Sequence, residues 1–462
     1  MVRPARLPVA LTKHQDQMTS FRLLKKRLAL LSLGALVVGA ASTAPSVRAQ
    51  DSGALLNVLV RKGILSDQEA ENVRAELQHE ALETSAGKWN LSSALNELKL
   101  SGDARARYEY RSGENGSTGD RQERNRFRYR FRLGLSGKLG DGWFFGTRLE
   151  TGSGNRSTNV TAGDYSLSPF GKGGNNGIYL GQAYIGRTMG DFTFTVGRMA
   201  NPLITSPMIW DDDINVEGLA EQWAHTSGNI TYFVNLEQLV YDGVGTYNAF
   251  GSSSARSNTF LFGNQVGARL KLSGGATIQI APTYYFYSND GVGLTALTTP
   301  NNAIHRPVGV SVLDLPVEYS TTVRGFPLKI WGEFAMNLDA DDRADAAGIP
   351  TADGEDIALQ IGAALGATKV KGDWELRAFY QDVAAFALDT NLVDSDLFDS
   401  RTNMKGFGLA ATYVLADGIS VKITYAAADR KKDNLATYGA GDIGTANLTK
   451  YQLFQTDISV KF

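Results

Sequence analysis

The chain has 462 residues with 46 Lys plus Arg, 48 Asp plus Glu and a formal net charge of −2. Cys is absent, and the only histidines, His14, His79, His225 and His305, are scattered, which excludes disulfides, thiolate metal centres and a His-based metal site or triad. Gly at 50, Tyr at 18 and Phe at 21 against 12 Pro favour turns and strands; no repeated apolar runs of about 20 residues mark a helical membrane protein.

Residues 1–49 read as a secretory signal peptide. Lys25, Lys26 and Arg27 precede an uncharged apolar run from Leu28 to Val38, followed by small residues and Val47-Arg48-Ala49. That is the order of basic region, apolar region and cleavage site. The basic region is long, so Met18 is an alternative start. Removing 1–49 takes away eight basic residues and one acid, leaving 38 basic against 47 acidic and a net charge of −9. An acidic mature chain argues against a nucleic-acid partner.

Residues 50–97 are expected to form a short periplasmic helical segment. Ser66-Asp67-Gln68-Glu69 is a capping box, and Val73, Leu77 and Ala81 give the helix that follows an apolar stripe. It is either a solvated spacer or a short self-associating element.

From 98 to 462 the pattern has period two. Sixteen strands are predicted: 98–112, 125–138, 143–154, 177–188, 191–198, 216–225, 230–241, 260–272, 276–287, 308–321, 328–338, 356–368, 373–383, 404–415, 419–428 and 450–462. The connections alternate between tight turns such as Gly140-Asp141-Gly142 or Asp417-Gly418 and long polar segments such as 199–215 and 384–403. Short turns alternating with long outer loops mark a transmembrane antiparallel β-barrel of all-β class. Trp143, Phe192, Trp374 and Phe462 fall beside the short turns or at the chain end, where an interfacial girdle belongs.

The second strand carries the strongest pattern. Arg124, Arg126, Arg128, Arg130 and Arg132 alternate with Asn125, Phe127, Tyr129, Phe131 and Leu133. Successive side chains of a strand point to opposite faces, so one face is a guanidinium column and the other is largely apolar. Facing the arginines to lipid would cost roughly 2–4 kcal/mol each near midplane, so Arg105, Arg107, Arg126, Arg128, Arg130, Arg132 and Arg148 are expected to line a water-filled pore. Two outcomes stay open: a net basic wall that attracts anions, or arginines neutralised by neighbours such as Asp103, Glu109 and Glu150.

The segment after the fifth strand carries Pro202, Pro207, Trp210 and the acids Asp211, Asp212 and Asp213. Folded inward, it is a constriction loop whose carboxylates face the arginines; folded outward, it is a solvated or calcium-binding outer loop. No nucleophile–His–acid constellation surrounds His225 or His305, and Asp339, Asp341 and Asp342 do not match a calcium loop. The chain is therefore expected to be no enzyme and to need no cofactor or metal.

These parts resemble bacterial porins. Gln182-Ala183-Tyr184-Ile185-Gly186 and Val196-Gly197-Arg198 are similar to the strand pair that precedes a porin constriction loop. The C-terminal third resembles the "putative porin" family of Gram-negative bacteria through Phe326 to Phe334 with Asn337, Lys371-Gly372-Asp373-Trp374, Asp394-Ser395-Asp396-Leu397 and Thr402 to Gly406. Lys62-Gly63-Ile64-Leu65 with Glu69-Ala70 is similar to the helix found before such barrels. The ending Phe454 to Phe462 resembles an assembly signal read by the outer-membrane insertion machinery, with Phe462 as its terminal aromatic. The resemblance implies an outer-membrane barrel in lipid, a homotrimer, and passive diffusion of small hydrophilic solutes and ions. An anion- or phosphate-selective channel and a plugged-barrel adhesin or structural protein are the alternatives.

Overall fold

In the computed structural model the described residues are 94–152, 157–163, 177–242, 259–288, 309–349, 354–439, 441–444 and 447–462, with isolated positions between 60 and 92. The expected signal peptide and nearly all of the helical segment lie outside them.

Sixteen antiparallel strands form the wall: β1 (Leu95–Asn115), β2 (Arg121–Leu139), β3 (Trp143–Gly152), β4 (Gly177–Met189), β5 (Phe192–Ala200), β6 (Asn215–Ser227), β7 (Ile230–Asp242) and β8 (Thr259–Lys271). β9 follows in two pieces, Thr277–Ile280 and Thr283–Tyr287. Then come β10 (Ser311–Val323), β11 (Phe326–Asn337), β12 (Ile357–Gly366), β13 (Trp374–Val383), β14 (Met404–Ala416), β15 (Ile419–Arg430) and β16 (Leu448–Lys461). The pieces of β9 pair with the same two neighbours, so they are one wall strand. Its break holds Pro282, which has no N–H to give a ladder. A two-residue strand, Val160–Thr161, adds only a bridge to β2.

Each strand pairs with its sequence neighbours, and β1 pairs with β16 to close the ring. Closure leaves no sheet edge. All sixteen predicted strands are present, most with ends shifted by one to three residues; β1 starts at Leu95 rather than 98. The predicted short turns are short, with left-handed residues at Asp141, Gly142, Gly190, Gly228 and Gly418. The strand ends that the long connections join lie at the other rim. One of these connections carries a short helix that the strand pattern does not announce, α1 (Ala340–Ala346).

The alternation sorts the wall as the strand chemistry requires. Phe127, Tyr129 and Phe131 are 51%, 40% and 44% exposed, whereas Arg126 and Arg128 are 7% and 8% exposed. Large apolar side chains cover the outside of every wall strand region, among them Leu149, Val196, Val266, Leu315, Ile361, Leu376, Leu409 and Ile423. At the short-turn end Phe192 packs on Trp223, Phe326 packs on Trp374, and Arg187 lies over the Trp143 ring at 5.3 Å. The largest buried apolar cluster lies inside the barrel, where Met208, Ile209, Trp210, Leu388, Leu392 and Val393 from two long connections meet the inner wall at Tyr285, Val312, Ala335 and Val383.

Candidate functional site: the arginine wall and the inward loops

The β1–β2 register sets Arg105 opposite Arg130, Arg107 opposite Arg128 and Arg111 opposite Arg124. Like charges directly across a ladder are unfavourable, so this wall needs carboxylates. Part of the supply is local. Asp103 accepts from Arg130 at 2.8 Å and from Arg132 at 2.6 Å. Glu109, fully buried, lies 2.9 Å from Arg111, pairs with Arg126 and accepts from Gln455. Asp457 on β16 takes Arg107 in a two-pronged contact of 2.7 and 2.9 Å, and Glu150 takes Arg148 at 2.9 Å.

The rest comes from loops that enter the barrel. Asp396 meets Arg107 and Arg111, both at 2.6 Å. Asp442 meets Arg124 at 3.0 Å, Arg111 at 3.4 Å, and also Arg126. Asp399 lies 3.5 Å from Arg111 and accepts from the backbone N–H of Asp442. Burial would raise the Asp396 carboxyl; Arg107 and Arg111 outweigh it and hold the group well below the usual carboxylate range. Asp442 is likewise depressed, with burial overcome by Arg111 and Arg126. Burial pushes Asp399 up despite Arg401 and Arg111.

The loop after β5 folds inside. Ser206 makes the first bend, its carbonyl accepting from Ile209 and Trp210 at 3.0 Å. Ile204 exchanges hydrogen bonds with the Gln265 amide on β8, and the Ser206 N–H donates to Glu333 on β11 at 3.0 Å. Pro202 and Pro207 have no N–H to satisfy in these surroundings. The acids of this loop divide. Asp213 reaches Arg130 at 3.5 Å and Arg132 at 3.6 Å. Asp211 turns instead to the backbone N–H groups of Asp213 and Ser395. Burial and Asp213 push Asp212 up, and Arg377 and Lys422 pull it back.

The sequence reading placed 384–403 among the outer loops, and the structure corrects this. Its residues from Ala384 to Asn403 are mostly buried, and Leu388, Leu392 and Val393 belong to the cluster inside the barrel. It latches to the β5–β6 loop through Asp211 N–H to the Leu392 carbonyl at 2.7 Å and Asp394 N–H to the Pro207 carbonyl at 3.1 Å. Burial, Asp211 and Asp396 push the Asp394 carboxyl well up. Tyr241 and Tyr287 donate to Asp389 at 2.7 and 2.8 Å. Phe398, Asp399, Ser400 and Asn403 adopt left-handed backbone, which costs a non-glycine residue about 1 kcal/mol or more. Surrounding bonds hold them: Asn403 donates to the carbonyls of Lys432 and Leu435, and Asp399 is tied as above. Together the two loops run from Gln265 and Glu333 on one side to Arg107, Arg111 and Arg130 on the other, so they cross the lumen.

Every arginine named from the sequence therefore lies on the inner face, and of the three loop acids Asp213 makes ion pairs with that column. Sequence reasoning missed Arg111, Asp396, Asp399, Asp442 and the inward cations Arg377 and Lys422. The Asp394-to-Leu397 stretch already stood out by resemblance, but nothing in it says which arginines it meets. Among the described residues no cluster of His, Asp and Glu is arranged to hold a metal ion. Phe462 ends the last strand with its ring against Gly102, and the two residues exchange backbone hydrogen bonds of 2.9 and 3.1 Å across the barrel seam.

A family model described as "putative porin" matches residues 115–303 and 309–462. No curated protein matches the chain. Solved structures with a similar fold include OprB of Pseudomonas putida, at 12% identity and TM-score 0.48 over 79% of this chain and 94% of that one. OmpT of Vibrio cholerae aligns at 10% identity and TM-score 0.41 over 81% and 100%. A triple mutant of the Rhodopseudomonas blastica porin aligns at 11% identity and TM-score 0.39 over 79% and 100%. The closed barrel, its apolar exterior and its polar interior agree with the family match: the chain belongs to the putative porin family, and it is a transmembrane β-barrel of the bacterial outer membrane that forms a channel for diffusion.

Proposed function

We propose that the barrel passes small hydrophilic solutes and ions through an aperture beside the inward β5–β6 loop, which narrows the lumen against the arginine wall. The observation that carries this is the inward course of that loop, from Gln265 and Glu333 on one side to Arg130 and Arg132, which Asp213 meets at 3.5 and 3.6 Å. Arg105, Arg107, Arg126, Arg128, Arg130, Arg132 and Arg148 are its pore-lining residues, and Asp211, Asp212 and Asp213 belong to its constriction loop. A basic wall facing a carboxylate loop sets a transverse field, which screens solutes by charge and dipole.

The pairing bears on selectivity. Most of these guanidinium groups already hold a carboxylate, so the wall presents far less net charge than its arginine count suggests. This favours weak ion selectivity over a strongly anion-selective channel. In a planar bilayer with a tenfold KCl gradient, the expected reversal potential is a small fraction of the about 59 mV that perfect selectivity gives per tenfold ratio. A value near that limit on the anion side would establish the anion-selective reading instead. No conductance at all would favour a plugged barrel, a reading to which the buried loop cluster inside the wall lends some support.

The same reading includes a homotrimer in outer-membrane lipid and delivery by the insertion machinery through Phe462. The terminal strand and its exposed aromatic support the latter. Residues 1–49 would be the signal peptide and 50–97 a periplasmic helical segment.

A further inference from the structure

Opposite the arginine column the inner wall carries a second feature. A pocket under the β5–β6 loop is lined by Ile204, Pro207, Trp331, Gln360, Arg377 and Phe379, among others. Both aromatic rings lie flat against the wall, because the neighbouring strand offers a glycine beneath each. Trp331 faces Gly362 in register and its ring occupies the space of an absent Cβ there; Phe379 does the same over Gly408. Trp331 is fixed by donating to Gln360 at 2.8 Å. Two flat apolar platforms inside a water-filled barrel have no role in holding lipid.

Arg377 stands over the Trp331 ring at 4.8 Å. Among the described residues its guanidinium has no carboxylate or hydrogen-bond acceptor, in contrast to the arginines of β1 and β2. Lys422, also on the inner face, makes no ion pair among the described residues, and its charge acts on Arg377. By register it lies two strands away and one inward position nearer the short-turn end. Asp212 of the constriction loop feels both charges, which places them beside the aperture. An unpaired guanidinium fork matches a carboxylate with two parallel hydrogen bonds, and an aromatic face beside it suits an apolar body.

We propose that Arg377, Lys422, Trp331 and Phe379 form a subsite for an organic carboxylate with an apolar or aromatic body. The carboxylate sits on Arg377, steered by Lys422, and the body lies over Phe379 and the edge of Trp331. The inference rests on the barrel conducting only for its role in passage; binding itself does not need flow.

The test uses benzoate as the probe, with acetate, inorganic phosphate and benzyl alcohol as comparisons. In a planar bilayer benzoate interrupts the KCl current of the wild-type barrel at concentrations about tenfold below those of the other three: burial of its ring separates it from acetate and phosphate, and its carboxylate separates it from benzyl alcohol. Arg377→Gln with Lys422→Gln, and separately Phe379→Ala, raise the blocking concentration by about the same factor. Equal block by acetate or phosphate, or undiminished block in both variants, overturns the subsite. Saturation-transfer NMR of benzoate on the detergent-folded barrel reads the site without ion flow. Benzoate signal in a barrel that carries no current keeps the subsite and sinks the channel reading; no signal in a conducting barrel does the reverse.

Discussion

Glu109 and Glu237 are both fully buried on the inner wall, and their surroundings set opposite expectations. Glu109 is the centre of a guanidinium cluster with Arg111 and Arg126, whereas both carboxylate oxygens of Glu237 lack a hydrogen-bond donor. Removing one side of a buried pair leaves the other charge stranded, at about 3 kcal/mol. A buried acid without a donor already bears a cost of about 1–3 kcal/mol that an apolar group of similar shape removes. Glu109→Gln is therefore expected to lower, and Glu237→Met to raise, the denaturant midpoint of the lipid-embedded barrel. A change in the same direction for both would show that burial alone, not pairing, governs these sites. At this scale the sequence spoke clearly about direction and poorly about partnership. Period two sent Arg126 and Arg128 inward without further information. It could not reveal that Glu109 would serve several arginines, because strand register brings those groups together.

The inward loops, including the β15–β16 connection that carries Asp442, are held by charge as much as by packing, and this makes them sensitive to acid. Asp396 and Asp442 have folded-state values below their ordinary 3.8, so their stabilising contribution is fully present above that value and is lost as pH falls through it towards the folded value. Asp394 has the opposite sign: its raised value means that ionisation on going up in pH, not protonation, works against the loop. Acidification below about pH 4 is thus expected to release the 384–403 loop from Arg107 and Arg111. Single-channel records should show a new conductance level or added gating noise in that range, and Asp396→Asn should show the same behaviour already at neutral pH. Traces of Asp396→Asn identical to wild type at neutral pH would mean that the apolar cluster around Leu388 and Leu392 holds the loop unaided. The inward course of the β5–β6 loop was an open alternative in the sequence, suggested by its prolines, Trp210 and acids. The course of 384–403 was missed. Its Asp-Ser-Asp run reads as a solvated turn unless the arginines it neutralises are known to lie opposite.

For the whole molecule the decisive contact is the seam between the first and last strands. Phe462 lies over Gly102, and replacing its ring removes the cover of that junction without touching the lumen. Phe462→Ala is expected to reduce the fraction of chain reaching the folded, heat-modifiable form in outer membranes, while protein refolded in detergent keeps its β-sheet content. Normal yield in cells would remove any role for the terminal ring in assembly. The strand count, the outward apolar band, the inward arginines and the alternation of short turns with long loops were all determined by the sequence alone, because each depends on local periodicity and turn chemistry. Tertiary structure decided what stands across the lumen. Loop carboxylates at Asp213, Asp396 and Asp442 meet arginines on strands far away in sequence, whereas Arg377 and Lys422 make no ion pair among the described residues. Such pairings depend on where the ring closes and how its loops fold back, and neither has a periodic trace in the chain.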